Sequence, residues 1–320
     1  MKKVIHRFRC PKMPFPVNVC LPVFILVFLF NMNPSSANPV EEPVRIKADQ
    51  TDSAMKDGMV LVWSDEFNKD GAPDPANWNY EYGFVRNQEL QWYQSQNAIC
   101  KNGVLVIEGK RETVDNPNYS PVSSDWRNIR ESAAYTSSCL ITRGLQEWPA
   151  GGYYEVRARI DVTKGAWPAI WLLGTDGSWP DNGEIDMMEF YRMNDEPHLL
   201  ANVAWGTAQK YKAAWDSTKK LYTDFTSKDP DWASKFHTWS MMWDNNYIRL
   251  YLDGDLLNEV DLSKTRNADE RNPFVGSQKF YLLLNLAIGS NGGIPDDPEF
   301  PITFEIDYAR VYQVVKNKLK

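Results

Sequence analysis

The amino-acid sequence predicts an all-β sandwich. Short apolar runs alternate with polar residues at a period of two, which indicates strands that have one buried and one solvated face. Turn dipeptides separate these runs, and no long segment keeps the 3.6-residue period of an amphipathic helix. Two packed sheets bury such alternating faces, so we expect a single sandwich domain over residues 58–320.

Four runs show the alternation most clearly, and they are Val104–Ile107, Tyr153–Ile160, Ile248–Leu252 and Phe304–Tyr312. The turns that punctuate them are Asn102-Gly103, Gly151-Gly152 and Asp253-Gly254. Residues 208–236 lack this pattern, and for them we predict a short helix or a long loop.

The composition narrows the class of protein. Of 320 residues, 43% are apolar and 24% are charged, which is ordinary globular usage. Acids outnumber bases by 42 to 35, which disfavours a nucleic-acid binder with a broad basic face. The sequence contains only three histidines, which disfavours a three-histidine zinc site and a serine–histidine triad. The 13 tryptophans indicate either a large core or a groove that stacks on flat ligands.

Residues 1–37 resemble a secretory signal. Five basic residues precede the apolar run Leu21–Phe30, and Ser35-Ser36-Ala37 suits cleavage near Ala37. The alternative is a permanent anchor, but ten apolar residues are short of the roughly 20 that a spanning helix needs. We therefore expect a secreted or periplasmic protein without a membrane span in its mature chain. Residues 38–57 are predicted to be a flexible leader.

Cleavage would leave 30 bases against 42 acids, a net charge near −12. This charge favours neutral or cationic partners over sulfated or phosphorylated ones. Only Cys100 and Cys139 would remain, and export permits a disulfide between them. Two separate buried thiols are the alternative.

The most informative stretch contains three acids in six residues, Glu184, Asp186 and Glu189. On a strand, Glu184 and Asp186 share a face and lie about 6.6 Å apart. One bulged residue, at Met187 or Met188, would bring Glu189 to the same face. Three carboxylates this close cannot all ionise freely, so at least one pKa must rise. A retaining glycosidase needs such a pair, with one nucleophilic carboxylate and one protonated carboxyl about 5–5.5 Å apart.

On this spacing we assign Glu184 as the nucleophile, Glu189 as the acid/base and Asp186 as a hydrogen-bond partner of Glu184. Spacing alone leaves two alternatives, a solvated face of an exposed strand and a calcium site. Three tryptophans upstream favour a sugar-binding cleft, and Trp179 is the predicted stacking platform because its loop leads directly into the acids.

At these residues the sequence resembles glycoside hydrolase family 16, in its laminarinase-like group. The Glu-x-Asp-x-x-Glu signature is present at 184–189, and the upstream block 165–174 also matches. Further similar blocks are 63–67, 87–93, 283–289 and 307–313, so the resemblance extends from about 60 to 313.

The resemblance implies a concanavalin-like jelly-roll β-sandwich with a concave substrate cleft, and retaining endo-hydrolysis of a β-linked polysaccharide or oligosaccharide. It implies no cofactor for catalysis, and we expect a monomer. A structural calcium is implied at Asp307, with Glu66 and Gly103 as further candidate ligands; a solvated strand residue is the alternative for Asp307. The implied sugar contacts are Asn87, Glu89, Trp167, Trp171, Trp179 and Asn285.

One departure from the family pattern concerns the strand after the acids. Many laminarinases carry a histidine there, whereas this chain has none between Leu200 and Gly206. Asn202 and Trp205 are expected to shape the sugar subsites instead, and the insert 209–235 to wall one end of the cleft. The resemblance implies β-1,3-glucan or mixed-linkage glucan as the substrate, and the missing histidine leaves the specificity for β-1,3-glucan open. The alternatives are an endo-β-galactosidase acting on galactan, agar or poly-N-acetyllactosamine-type glycans, and a non-catalytic carbohydrate-binding protein.

Overall fold

A computed structural model describes residues 55–56, 58–295 and 299–314. The predicted signal segment and residues 38–54 of the predicted leader lie outside this part of the chain, so export and cleavage stay predictions. The leader was expected to end at residue 57, but Met55–Lys56 already forms a strand that pairs with Met59 and Val60.

Within the described residues there are twenty-one strands, one four-residue α-helix and four three-residue 3₁₀ helices. The first eleven strands are β1 Met55–Lys56, β2 Met59–Asp65, β3 Asn79–Tyr80, β4 Gln91–Tyr93, β5 Ala98–Lys101, β6 Val104–Gly109, β7 Val114–Asp115, β8 Ser132–Ala133, β9 Tyr135–Ser137, β10 Cys139–Ile141 and β11 Trp148–Pro149. The remaining elements are β12 Gly152–Ile160, β13 Ala166–Gly174, β14 Glu184–Met193, β15 Glu196–Gly206, β16 Ala213–Leu221, α1 Thr223–Thr226, β17 His237–Trp243, β18 Tyr247–Leu252, β19 Asp255–Asp261, β20 Lys279–Ile288 and β21 Ile302–Gln313.

Most strands belong to two large sheets that pack face to face as the predicted jelly-roll sandwich. The back sheet has the order β1-β2-β21-β12-β17-β18-β19, with β6 also on β21 and β5 on β6. The cleft sheet has the order β16-β15-β14-β13-β20-β10-β3, with β11 also on β20. All strand pairs within both sheets are antiparallel, which allows each sheet to keep one buried and one outer face.

The core lies between the two sheets and is rich in aromatic rings. Trp243 of the back sheet packs edge-to-face on Phe280 of the cleft sheet, with ring centroids 4.9 Å apart. Both rings are 2% exposed or less. The four alternating runs found in the sequence lie within β6, β12, β18 and β21, which confirms those strand predictions.

The prediction for residues 208–236 was partly wrong. A nine-residue strand, β16, occupies Ala213–Leu221, and only the part after it contains the short helix α1. Strand β16 is the edge of the cleft sheet and is largely exposed, so its sequence carries little apolar alternation.

Cys100 and Cys139 are both buried and unpaired, in agreement with the second alternative. They lie in separate clusters of buried apolar residues. Burial raises the pKa of the Cys100 thiol to about 12, so this thiol is not poised for reaction. Within the described residues, no helix combines the length and the apolar character that crossing a bilayer requires.

The loop before β14 is held tightly against the end of β13. Asn182 Nδ2 donates to the carbonyl oxygen of Gly174 at 2.7 Å, and Gln278 Nε2 donates to the carbonyl oxygen of Asn182 at 2.6 Å. A Cβ atom on Gly174 would lie 1.9 Å from that Asn182 oxygen. A glycine is therefore required where the loop closes over the strand end.

We expect Gly174→Ala to lower the free energy of unfolding by about 3 kcal/mol, because backbone atoms would have to move to admit the methyl group. Gly254→Ala is the control, since nothing lies within 4 Å of its added Cβ, although its φ of +86° is strained for alanine. It should cost about 1 kcal/mol. Urea denaturation measures both; equal losses would contradict the steric argument.

Candidate active site

Strand β14 contains the predicted β-bulge. On the side of β13, Met188 pairs with Ile170 and Asp186 pairs with Trp171, so Met187 has no partner in this ladder. The ladder with β15 shifts register over the same stretch. The inserted residue bends the strand and changes the face to which the following side chains point.

As a result, two consecutive side chains point into the sandwich. Met187 and Met188 both belong to the buried core, together with Ile185 and Phe190. The side chains that face the opposite way line a cleft of about 780 Å³ on the outer face of the cleft sheet. They are Glu184, Asp186, Glu189 and Tyr191.

The cleft brings together most of the predicted sugar-binding residues, and these are Asn87, Glu89, Trp167, Trp171, Trp179, Asn202 and Asn285. Trp205 is the exception, and its prediction requires correction. It is partly buried and packs against the core. Because Asn202 faces the cleft, strand alternation sends Val203 and Trp205 to the inner face.

Each catalytic candidate is held by indole or amide donors. Trp179 Nε1 donates to Glu184 Oε2 at 2.8 Å. Trp167 Nε1 donates to Glu189 Oε1 at 3.0 Å, and Asn202 Nδ2 donates to Glu189 Oε2 at 2.9 Å. These contacts fix the directions in which both carboxyl groups point.

A buried hydrogen-bond chain supports the cleft floor. Trp171 Nε1 donates to Asn285 Oδ1 at 2.7 Å, and Asn285 Nδ2 donates to the Tyr93 hydroxyl at 3.0 Å. That hydroxyl donates in turn to Glu89 Oε2 at 3.4 Å, and Gln91 Nε2 donates to the same oxygen at 2.7 Å. The edge of the Trp171 ring is thereby fixed relative to Glu89, which is 3% exposed.

The three acids of β14 have raised pKa values. Burial is the main cause and raises the pKa of both Glu184 and Glu189 to about 7. Burial and the charges of these two neighbours raise the pKa of Asp186 well above its usual value. Asp186 is 2% exposed, and its Oδ2 accepts no hydrogen bond from the described residues. A proton retained on Asp186 allows it to donate to Glu184.

Sequence reasoning missed several residues of the cleft. Arg86 forms an ion pair with Glu81, and its guanidinium carbon lies 5.0 Å from the centre of the Trp171 ring. Its charge lowers the pKa of Glu184. Tyr191 could have been found, because it follows Glu189 by two residues on the same strand face. Arg127 and Asn291 were also missed. Trp215, Ser217 and Lys219 were not named individually, but they belong to the insert 209–235 that was predicted to wall one end of the cleft, and they line it.

The predicted calcium ligands have other partners. Arg157 Nη1 donates to Asp307 Oδ2 at 2.5 Å. Arg310 donates to both oxygens of Glu66, at 2.9 and 2.8 Å. Gly103 lies in the turn after β5, where its φ is +73°. Among the described residues, no group of three or more His, Cys, Asp or Glu side chains could hold a metal ion. The structural calcium therefore stays a prediction from the resemblance.

The raised pKa values predict how stability depends on pH. Between about pH 4.3, the usual pKa of glutamate, and about 7, folded Glu189 keeps a proton that the unfolded chain has lost. Stability therefore falls as pH rises through this window. We expect Glu189→Gln to raise the free energy of unfolding by up to about 3 kcal/mol at pH 8 and to change it little at pH 4.

Thermal unfolding of both proteins from pH 4 to pH 8 measures this difference. Glu131→Gln removes an exposed acid outside the cleft and serves as the control. A Glu189→Gln stabilisation that does not grow with pH would contradict a raised pKa at this position.

Comparisons with known proteins agree with this geometry. Residues 87–309 match the family model described as glycosyl hydrolases family 16. A β-glucanase from Rhodothermus marinus is 36% identical over 272 residues, which cover 80% of this chain and 86% of that protein.

Two solved structures are similar over most of the chain. The laminarinase catalytic domain from Thermotoga maritima MSB8 has a TM-score of 0.66 at 32% identity, and the match covers 80% of this chain and 98% of that one. A structure from work on endo-acting O-glycanases, which prominent members of the human gut microbiota express to initiate mucin breakdown, has a TM-score of 0.73 at 34% identity. That match covers 82% of this chain and 93% of the other.

Proposed function

The chain belongs to glycosyl hydrolase family 16, and from this we propose that it is a retaining endo-β-glycosidase that hydrolyses a β-glucan. The observation that carries the proposal is the bulged strand β14, which directs Glu184 and Glu189 into one cleft. Two carboxyl groups on one wall are the minimum that double displacement at a sugar carbon requires.

The surroundings of the two glutamates favour different roles for them. Hydrogen bonds from Trp179 and Asp186 and the charge of Arg86 all lower the pKa of Glu184. The negative charges of Glu184 and Glu89 raise the pKa of Glu189. Burial raises the pKa of both groups to about 7, and ionisation of one carboxyl group favours the protonated form of the other. One ionised and one protonated carboxyl group near neutral pH suit the proposed roles, with Glu184 as the nucleophile and Glu189 as the general acid.

In the first step, a Glu184 oxygen attacks the anomeric carbon while the bond from that carbon to the leaving oxygen breaks. The proton of Glu189 passes to the leaving oxygen, and a covalent glycosyl ester remains. In the second step, ionised Glu189 takes a proton from water, and the water oxygen attacks the anomeric carbon. The bond to Glu184 breaks, and the product keeps the configuration of the substrate.

Variants of the two glutamates separate these roles. Glu184→Ser should abolish turnover of every substrate, because no ester can form. Glu189→Gln should lower kcat on polysaccharide by about 10²–10⁴-fold, the usual contribution of a general acid, but much less on an aryl glycoside whose leaving group needs no proton.

Initial rates on both substrate types provide the measurement, with NMR of the first-formed anomer as a test of retention. Hydrolysis by Glu184→Ser at the parent rate would contradict the nucleophile assignment. No hydrolysis of any substrate by the parent protein would instead favour a role for this cleft in binding alone.

The β-glucan part of the proposal draws support from the similarity to a β-glucanase and a laminarinase. One observation favours endo-β-galactosidase activity as a second candidate. Ala204 pairs directly with Glu184 and is fully buried, so the position beside the nucleophile carries no side chain larger than a methyl group. A small side chain beside the nucleophile leaves room for a differently oriented hydroxyl, and the chain is also similar to an O-glycanase structure.

A panel of polysaccharides distinguishes the two candidates. We expect reducing sugar to be released from laminarin, with less from lichenan and little from agarose or keratan-type chains. The mixture of oligosaccharide sizes at early time points reports endo-cleavage. Release from agarose or keratan-type chains without release from laminarin would replace the first candidate by the second.

We also propose that catalysis requires no cofactor, because two carboxyl groups supply both the nucleophile and the proton. Incubation with EDTA should therefore leave kcat unchanged, and a loss of activity that Ca²⁺ restores would contradict this. The same samples test the structural calcium separately: a melting temperature lowered by EDTA and restored by Ca²⁺ would support a site near Asp307.

We also propose that the enzyme acts as a monomer. Export, as proposed from residues 1–37, would give the enzyme access to polymers outside the cytoplasm.

A further inference from the structure

Strand β16 forms the outer end of the cleft. Its orientation is fixed by Asp216, whose Oδ1 accepts a hydrogen bond at 3.1 Å from Nδ2 of the buried Asn258 on β19 of the back sheet. Asp216 therefore points between the sheets. By strand alternation its neighbours point the other way, and the side chains of Trp215, Ser217 and Lys219 line the cleft.

The strand register gives the position of Trp215 relative to the nucleophile. Glu184 pairs with Ala204 across to β15, and Ala204 pairs with Trp215 across to β16. Two strand spacings correspond to about 10 Å. Because the residue between them is alanine, no large side chain separates Trp215 from the centre of the cleft.

Trp215 differs from the other tryptophans of the cleft. Trp167, Trp171 and Trp179 each donate the indole N–H to a side chain of the cleft. Within the described residues the indole ring of Trp215 has neither an aromatic contact nor a hydrogen bond, and the residue is 47% exposed. A large flat ring that packs on little protein and faces a cleft is suited to stacking on an apolar face of a ligand.

We infer that the outer face of β16 is a distal sugar subsite, in which Trp215 stacks on a pyranose ring of the substrate. The inference rests on the proposed function and adds a preference for the length of the substrate chain. Ser217 and Lys219 follow Trp215 on the same face and supply hydroxyl and ammonium donors for the sugar hydroxyls. The ammonium group of Lys219 forms no hydrogen bond or ion pair with the described residues, so its N–H donors are available to a ligand. The enzyme therefore selects chains long enough to extend from the catalytic strand to the sheet edge.

Calorimetric titration with oligosaccharides tests this subsite without turnover. The Glu184→Ser protein is titrated with laminari-oligosaccharides of increasing length and, in parallel, with N-acetyllactosamine oligomers. Adding Trp215→Ala should weaken the binding of the longest oligosaccharide about tenfold more than that of the shortest, because only the longer chain reaches β16. Adding Lys219→Ala should give the same pattern with a smaller effect, about fivefold.

Two matched controls use neighbouring residues. Lys220→Ala removes the same charge from the opposite face of β16, and Tyr211→Ala removes an aromatic ring that is 62% exposed and does not line the cleft. Both should leave the length dependence unchanged.

The outcomes separate this subsite from the proposed function. If only the lactosamine series binds and Trp215→Ala removes its length dependence, the glucanase proposal fails and the subsite stands. If the laminari-oligosaccharides bind and Trp215→Ala weakens the binding of all lengths equally or not at all, the subsite is overturned while the function stands. If only the lactosamine series binds and its length dependence is unchanged, both fail. Binding of neither series overturns both.

Discussion

The arrangement of the cleft depends on one unpaired residue, Met187, in the middle of β14. In a regular strand Glu184 and Glu189 would lie on opposite faces, and one of the two carboxyl groups would be buried between the sheets. An ionisable group in that core would be neutral and inaccessible. The bulge instead sends two flexible methionine side chains into the core, where they fill space beside neighbouring apolar residues. The catalytic geometry is thus obtained with little loss of packing.

The same arrangement places like charges close together, and the surrounding residues reduce the resulting cost. Burial raises the pKa values of all three acids, and neighbouring negative charges raise those of Asp186 and Glu189 further, so the cluster holds protons that isolated carboxylates would release. Indole and amide donors stabilise particular oxygens of Glu184 and Glu189. A site that stores protons near neutral pH and fixes their positions is prepared for acid catalysis, at some expense of folding stability.

Aromatic residues serve two purposes in this protein. Rings such as Trp243 and Phe280 close the sandwich core, whereas Trp167, Trp171 and Trp179 act as hydrogen-bond donors that fix side chains of the cleft. Trp215 does neither within the described residues. The composition suggested that the tryptophans belong either to a large core or to a ligand groove, and both are present. The hydrogen-bond partners and the exposure of each ring show to which of the two it belongs.

The sandwich, the main strands and the acidic cluster of β14 could be predicted from the amino-acid pattern, because alternation of period two and the spacing of three acids are local properties of the chain. The pattern also indicated that a bulge was needed, since no other arrangement places all three acids on one face. Which residues from distant segments meet in the cleft became clear only from the fold. Trp205 could not be assigned to the core without the strand register, and Arg86 was missed because its role arises from packing across the sheet. The insert 209–235 was predicted to wall one end of the cleft, but the strand β16 within it was not, because an exposed edge strand carries little buried apolar surface. Its pairing with β15 is what directs Trp215 into the cleft.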